Sequence, residues 1–187
     1  IPEPTFAMYK VYSNLFKSNL LNFKYSLING KFVFDIKKFL LIIKKKKPKL
    51  ICLANPDSPS GTILHVDEII KIIKVAKKIR CIVLIDEAYY PFSTITLKNK
   101  INSFNNLVIV RSLSKSWALA GLRVGYIMGN KKIIHYISSA KPMYEIGGLQ
   151  TYILSKLLQK NYHLNVKKSV RDLNLAKKKF IIFLKKI

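Results

Sequence analysis

One lysine of this chain has surroundings unlike those of most others. Many lysines lie in runs such as KKKK and KKK, whereas Lys115 lies between two serines in RSLSKSWALAGLRVGY, shortly after the apolar run LVIV. Lysine runs are typical of a solvated surface, but a charge set among small and apolar residues has no obvious partner. A lysine whose neighbours disfavour its charge can act as an amine nucleophile and form a Schiff base with an aldehyde. Lys115 is therefore the first candidate for a reactive residue.

A carboxylate, a phenol, two hydroxyls and an arginine complete a set of groups that one cofactor would need. Asp86 and Tyr89 follow the apolar run CIVLI, where a buried carboxylate would suit a protonated ring nitrogen. Ser112 and Ser114 adjoin the lysine segment, and together with Arg123 they suit a phosphate dianion. An aldehyde, a phosphate and a pyridine nitrogen occur together in pyridoxal phosphate, which stabilises a carbanion at the α-carbon of an amino acid. The combination predicts a pyridoxal phosphate site.

Each of these groups has an ordinary structural explanation when it is taken alone. The segment NPDSPSG (55–61) has the composition of a simple turn. Asp86 could cap a helix, and Lys115 could extend its amine to solvent. Their occurrence together is much harder to explain by structure alone, so the combination favours a functional site.

The elements that must position these groups can be read from the hydrophobic pattern. Short apolar runs that alternate with helical periodicity predict an α/β fold with a mostly parallel sheet covered by helices on both faces. Ligands of such sheets bind beyond the carboxyl ends of the strands. NPDSPSG, DEAYY and SLSK each follow a predicted strand, so we expect them to converge on one site. The predicted strands are 21–27, 50–54, 81–85, 106–110 and 122–128, and the predicted helices are 35–43, 67–79, 131–140, 148–159 and 164 onward.

Three segments together resemble a known family. The series NPDSPSG, IDEAYYPF and RSLSKSWALAGLRVGY resembles the fold-type I aminotransferases of class I/II, nearest the histidinol-phosphate aminotransferase group. That group has an NPNNPTG turn, a D-E-A-Y segment and an S-L-S-K-x-x-x-L-A-G-L-R-x-G block in the same order. The opening PEPTFAMY also resembles a stretch of the family. The resemblance implies the large cofactor domain of a fold-type I pyridoxal phosphate enzyme.

The resemblance implies a role for each residue of the catalytic end. Lys115 would form the Schiff base with the cofactor and later move the α-proton of the substrate. Asp86 would keep the pyridine nitrogen protonated, and Tyr89 would donate a hydrogen bond to the phenolic oxygen of the ring. Gly121 and Gly125 would allow close passage of the backbone, although both could equally be plain turn and strand glycines.

The resemblance also implies which residues hold the phosphate. Ser112, Ser114 and Arg123 would bind it, with Arg123 offering two donors to two oxygens. Ser58 departs from the family, which has an asparagine at this position in contact with the phenolic oxygen. Serine reaches less far, so we expect the tuning of the cofactor to differ there.

The resemblance covers part of an enzyme. We find no counterpart in residues 1–54 of the family's Gly-rich phosphate turn, its ring-stacking aromatic residue or the residues lent across the dimer. The arginine that captures the substrate carboxylate would lie beyond residue 187. We therefore expect a segment truncated at both ends. Residues 1–160 would form part of the pyridoxal phosphate domain, and 161–187 a long helix leading to a small C-terminal domain.

The resemblance implies an aminotransferase that exchanges an amino group between an amino acid, phosphorylated or not, and a 2-oxo acid. The full-length enzyme would be a homodimer. The same residues would serve an amino-acid phosphate decarboxylase, because the bond that breaks depends on how the substrate lies over the ring. An inactive truncated remnant is a third hypothesis. Tyr144 and Glu145, in the segment MYEIGG, are candidates to face the substrate.

The charge of the chain suggests a different class of partner. The 187 residues include 34 Lys+Arg and 9 Asp+Glu, which give a formal net charge of +25. Such a balance is typical of proteins that bind nucleic acids or anionic membranes. Arginine is rare, however, and Ile and Asn are enriched along with Lys, as an AT-rich coding sequence would produce. We therefore expect neither a nucleic acid nor a membrane as partner; a nucleic-acid-binding module would require steeply salt-dependent binding.

The remaining composition favours a cytoplasmic protein without a metal. Cys52 and Cys81 lie in short apolar runs, where buried thiols act as small hydrophobic residues. Neither a disulfide framework nor a metal-ligand spacing of histidines is present in the sequence. No apolar run approaches the roughly 20 residues of a membrane span.

Overall fold

The structure is a computed structural model that describes residues 1–186. Two short 3-10 helices, at Lys98–Ser103 and Ala120–Leu122, supplement the main elements. The strands are β1 (Pro2–Glu3), β2 (Phe23–Lys24), β3 (Ser26–Ile28), β4 (Lys31–Val33), β5 (Leu50–Ala54), β6 (Ile82–Asp86), β7 (Leu107–Ser112) and β8 (Gly125–Gly129). The helices are α1 (Met8–Leu15), α2 (Ile36–Lys46), α3 (Val66–Lys78), α4 (Lys131–Ser139), α5 (Gly148–Gln159) and α6 (Tyr162–Leu184).

The central sheet has four strands in the order β5, β6, β7 and β8. The first three strands are parallel, and β8 runs antiparallel to β7. The prediction of an α/β fold with a mostly parallel sheet is therefore confirmed. Two small sheets lie outside it, a parallel pair of β1 with β2 and an antiparallel hairpin of β3 with β4.

The core lies between one face of this sheet and helices α2 and α3. Side chains alternate along a strand, and Ile51 and Leu53 of β5 and Val83 and Ile85 of β6 are buried on this face. Helix α3 presents a stripe of fully buried side chains to it (Ile69, Ile72, Ile73 and Ala76). Burial of each such branched side chain contributes about 1.5–3 kcal/mol. The Asp35 side chain caps α2 by accepting a hydrogen bond from the Lys38 N–H.

Several predicted boundaries differ from those observed. The predicted strand 21–27 is divided between β2 and β3, and helix α1 was not predicted. The predicted strand 122–128 begins instead at Gly125, because a 3-10 turn precedes it and Arg123 takes a left-handed φ of 53°. Helix α6 begins at Tyr162, and residue 187, the end of the predicted terminal helix, lies outside the described residues.

Within residues 1–186, every helix is too short or too polar to traverse a lipid bilayer. The same part of the chain contains no cluster of three or more His, Cys, Asp or Glu side chains that could hold a metal ion.

Candidate cofactor site

The carboxyl ends of β6 and β7 bring two predicted site residues to one face of the sheet. Asp86 is the last residue of β6, and it pairs with Val110 of β7. Because side chains alternate along a strand, Ser112, two residues further on, lies on the same face as Val110. This face is opposite to the core, and both Asp86 and Ser112 are half-buried there. The sheet thus places a carboxylate and a hydroxyl where the strand-end rule predicts a ligand site.

Two donors fix the orientation of the Asp86 carboxylate. Its Oδ2 accepts a hydrogen bond from the Tyr9 hydroxyl at 2.8 Å, and its Oδ1 accepts one from the Ala88 N–H at 2.9 Å. A carboxylate has about four acceptor positions, so Asp86 keeps capacity for a further N–H donor. Burial, followed by the charge and the hydrogen bond of Asp86, raises the pKa of Tyr9, which keeps its phenol a donor.

Tyr9 is a contact of Asp86 that sequence reasoning did not name. It lies on α1, and Phe6 packs edge-on against it with ring centroids 6.0 Å apart. The segment PEPTFAMY contains both residues, so its resemblance to the family was the available signal. What the sequence could not supply was the contact itself, which joins residues 77 positions apart.

Lys115 approaches the segment that carries Asp86. Its Nζ lies 5.5 Å from the centroid of the Tyr89 ring, within the range of a cation–π contact. Among residues 1–186, none of the ion pairs involves Lys115. The expectation that its neighbours would disfavour its charge is not matched, because the side chain is exposed. The structure therefore brings DEAYY and SLSK together and leaves the amine accessible.

Serine side chains shape the turn around this lysine. The Ser112 Oγ accepts a hydrogen bond from the Ser114 N–H at 3.0 Å, which leaves the Ser112 hydroxyl proton able to donate elsewhere. The Ser116 Oγ donates to the Tyr90 carbonyl at 2.6 Å. Ser116 is buried and was not predicted as a site residue. It ties the residue after Lys115 to the residue after Tyr89.

Arg123 and Ser58 are less closely connected to the rest. Arg123 is exposed, and its Nη1 donates to the Ala120 carbonyl at 3.4 Å. Ser58 is half-buried in the turn after β5, next to the buried Asp57, which accepts hydrogen bonds from the Thr5 and Ser60 hydroxyls. In the described part of the chain, no hydrogen bond or ion pair joins Arg123 or Ser58 to Lys115.

The two candidate substrate residues lie on the surface. Tyr144 is 91% exposed. Glu145 is paired with Lys141 at 2.8 Å, and both side chains are about half exposed. Within residues 1–186, neither Tyr144 nor Glu145 makes a hydrogen bond to Asp86, Ser112 or Lys115, so a role towards the substrate stays a prediction.

An ion pair that sequence reasoning missed lies on the opposite face of the sheet. Glu87 follows Asp86 and is 1% exposed, and Arg111 precedes Ser112 and is 8% exposed. Nη2 and Nε of Arg111 donate to one oxygen of Glu87 at 2.7 and 2.9 Å. Burial acts to lower the pKa of Arg111, but hydrogen bonds to Tyr126 and Glu87 and the Glu87 charge outweigh it, so the pKa is raised. The signal in the sequence was the position of a rare arginine and a rare acid at two strand ends.

The two cysteines are not nucleophiles at neutral pH. Burial raises the pKa of the Cys52 and Cys81 thiols to about 11, so both stay protonated. Both are free thiols, and Cys81 is fully buried. Cys81 is buried as its apolar run predicts, whereas Cys52 is only half-buried.

Comparison with known proteins settles the family. The sequence profile of the family described as "Aminotransferase class I and II" matches residues 1–185. The chain belongs to this family. The resemblance drawn from NPDSPSG, DEAYY and SLSK is therefore confirmed, as are the fold type and the dependence of the family on pyridoxal phosphate.

One curated relative and two solved structures show which proteins of the family the chain is similar to. A histidinol-phosphate aminotransferase of Thermoanaerobacter sp. (strain X514) is 39% identical over 158 residues, which are 84% of this chain and 43% of the relative. The structure of a histidinol-phosphate aminotransferase from Clostridium acetobutylicum matches with a TM-score of 0.82 at 24% identity, over all of this chain and 55% of that one. One from Sinorhizobium meliloti, in complex with pyridoxal-5'-phosphate, matches with a TM-score of 0.69 at 18% identity, over 87% of this chain and 44% of that one. The chain thus spans about half the length of these proteins.

The residues present fit pyridoxal phosphate in chemical type. Asp86 keeps acceptor capacity for a ring N–H, and Lys115 offers an exposed amine beside the Tyr89 ring. The Ser112 hydroxyl and the exposed Arg123 guanidinium are donors suited to a phosphate. The fit is closest at the carboxylate, whose position two hydrogen bonds already fix.

Proposed function

We propose that this chain binds pyridoxal phosphate through Lys115 and contributes to the transfer of an amino group between an amino acid and a 2-oxo acid. The observation that carries the proposal is the approach of the Lys115 amine to the Tyr89 ring, three residues after the oriented carboxylate of Asp86. When bound, the cofactor supplies an electron sink for the α-carbon of the amino acid. The side chains of this chain would attach the cofactor and transfer the protons.

Asp86 would accept a hydrogen bond from a ring nitrogen and keep that nitrogen protonated. Its carboxylate is fixed by Tyr9 and by the Ala88 N–H, so it need not reorient to receive a cation. A half-buried carboxylate facing a ring N–H favours the protonated ring, because opposite charges attract more strongly away from bulk water. The cationic form of the ring is the one that withdraws electrons best.

Lys115 would carry the amine that bonds the cofactor and then exchange a proton with the α-carbon of the substrate. Its exposure supports this double role, since the side chain can move between the two positions without breaking an ion pair within residues 1–186. Ser112, Ser114 and Arg123 would bind the phosphate, and Tyr89 and Ser58 would approach the phenolic oxygen.

The substrate class comes from the relatives alone. Because the curated relative is named histidinol-phosphate aminotransferase, we take histidinol phosphate as the amine that exchanges its amino group with the 2-oxo acid in the complete enzyme, which converts the 2-oxo acid to the amino acid. A homodimer, a cytoplasmic location and the division into a cofactor domain (1–160) and a terminal helix (161–187) belong to the same proposal. The two free thiols are compatible with a reducing compartment.

The test is to trap the cofactor on one lysine among many. The folded chain is incubated with pyridoxal phosphate and reduced with borohydride, which fixes the cofactor to the amine that has condensed with its aldehyde. Peptide mass mapping should then find the label confined to Lys115 and abolished in Lys115→Arg. Lys141→Arg, which removes an exposed lysine far along the chain, should leave the label unchanged. Label spread over surface lysines in a chain shown by circular dichroism to be folded would reject the proposal and favour the inactive-remnant hypothesis.

A further inference from the structure

We propose that Glu87 and Arg111 are positioning residues that hold the two site-bearing segments, 86–90 and 111–116, in a fixed relation. The first segment carries the ring carboxylate, and the second carries the reactive lysine. The catalytic meaning of this role rests on the proposed function, whereas its geometric content can be tested without any cofactor.

Further hydrogen bonds and a stacked aromatic ring surround the ion pair between Glu87 and Arg111. Thr96 donates through its hydroxyl to the Glu87 Oε2 at 2.8 Å, and the Leu97 N–H donates to the Oε1 at 3.1 Å. The Arg111 Nη2 also donates to the Thr96 hydroxyl at 2.8 Å, and the guanidinium lies 3.5 Å from the centroid of the Tyr90 ring. Such a network has one favourable arrangement, because moving either charged group would leave buried donors without acceptors.

A second link joins the same two segments further along. Tyr90 stacks against Arg111 with its ring and accepts the Ser116 hydroxyl with its carbonyl. Ser116 immediately follows Lys115. The two segments are therefore joined twice, once at the strand ends and once beside the lysine, and a shift of either segment would change the distance between Asp86 and the lysine amine.

Stability alone does not account for a buried ion pair. The cost of removing two charges from water often equals their attraction, so apolar residues of similar volume can replace such a pair without loss of stability. A pair of this kind can instead favour one geometry over others. Here the geometry concerns the strand ends, since Glu87 adjoins Asp86 and Arg111 adjoins Ser112.

The test removes both charges and asks which parts of the chain loosen. In E87M/R111M, amide hydrogen exchange is measured by mass spectrometry without cofactor. We expect exchange at least tenfold faster in both 86–90 and 111–116, with no change in α3, whose side chains make no hydrogen bond to Glu87 or Arg111 in the described residues. Asn106→Ala is the matched control, because the Asn106 amide donates to the Ile73 and Cys81 carbonyls near the amino end of β7. It removes buried hydrogen bonds without touching the strand ends.

Two results would overturn the proposal. In the first, both site segments exchange in E87M/R111M as slowly as in the unaltered chain. In the second, the whole sheet exchanges faster to the same extent, as a general loss of stability would produce in Asn106→Ala. If the double variant does not fold, Arg111→Lys decides, since it keeps the charge but loses the fork that bonds Glu87. The same local pattern is expected there with a smaller factor, and its absence rejects the proposal.

A cofactor readout separates this proposal from the proposed function. Under limiting pyridoxal phosphate and borohydride, Arg111→Lys should lower the label at Lys115 at least fivefold relative to the other lysines, and Asn106→Ala should not. If the unaltered chain takes no label at Lys115, the proposed function fails, and the exchange measurement alone decides whether the pair holds the two segments.

Discussion

The two ends of the candidate site are built in different ways. The ring end, which we define as Asp86 with Tyr9 and Ala88, is half-buried and is set by hydrogen bonds to a side chain and a backbone amide. The lysine loop, which we define as residues 113–123, exposes the Lys115 and Arg123 side chains. The loop is held mainly through its backbone, for example by the Leu113 N–H, which donates to the Val124 carbonyl at 3.0 Å.

The difference indicates what each end contributes. The sheet and two hydrogen bonds fix the ring end, so we expect its carboxylate to keep this position when a ligand binds. The lysine loop leaves its charged side chains free to move on a backbone whose path is fixed. Under the proposed function, Asp86 stays in place while the Lys115 amine moves between bonding partners, and these two arrangements suit those two roles. Three kinds of substitution test this comparison. The first adds a Cβ where two backbone segments are close together, the second removes a side-chain hydrogen bond, and the third changes a residue with a left-handed backbone conformation.

The largest effect is expected at Gly125, where β8 meets the end of β7. A Cβ added there would lie 2.7 Å from the Arg111 carbonyl oxygen, which is part of the backbone and cannot move without displacing the strand. Gly125→Ala should therefore lower the free energy of unfolding by about 2–3 kcal/mol. Urea denaturation measures this loss, and the label at Lys115 should fall with it because Ser112, the partner of Gly125 in the ladder, is displaced.

Gly121→Ala is the matched control in the lysine loop. A Cβ at Gly121 meets no atom within 4 Å, so the free energy of unfolding should change by no more than about 0.5 kcal/mol. Equal losses in the two variants would show that the close approach at Gly125 does not constrain the strand end.

A smaller effect is expected from the hydrogen bond that orients the ring end. Tyr9→Phe removes the donor to Asp86 and should lower the free energy of unfolding by about 1.5 kcal/mol, since the half-buried carboxylate loses a charge-assisted bond. Tyr12→Phe on the same helix serves as control, because Tyr12 is 53% exposed. The measurement is again urea denaturation. If Tyr9→Phe is as stable as Tyr12→Phe and the labelling at Lys115 is unchanged, Tyr9 has no role in the site.

The parts of the site that could be predicted follow from strand ends and motif order. The apolar run CIVLI predicts a buried strand, and parallel strands share an edge, so Asp86 and Ser112 were expected to lie together. The NPDSPSG, DEAYY and SLSK series then indicated the family. These inferences need only local pattern and the direction of the chain.

The parts that could not be predicted depend on tertiary contacts and backbone angles. Tyr9 reaches Asp86 from 77 residues away, through a helix that the hydrophobic pattern did not reveal. The Glu87–Arg111 pair requires the parallel register of β6 and β7, which no local pattern specifies. The exposure of Lys115 was not expected from the apolar segments around it, because Lys115 lies in the turn after β7, where exposure depends on the path of the backbone.

The smallest effect tests the backbone of the lysine loop. Ala118 takes a left-handed φ of 54°, a conformation that is unfavourable for a residue with a Cβ and accessible to glycine. Ala118→Gly should therefore raise the free energy of unfolding by about 0.5 kcal/mol. Ala120→Gly, in the adjoining 3-10 helix, should lower it by a similar amount, because glycine there only adds flexibility to the unfolded chain. Thermal denaturation measures both changes in stability. A gain in Ala118→Gly and a loss in Ala120→Gly would support a loop whose path is fixed by backbone conformation, and a loss of stability in both variants would contradict it.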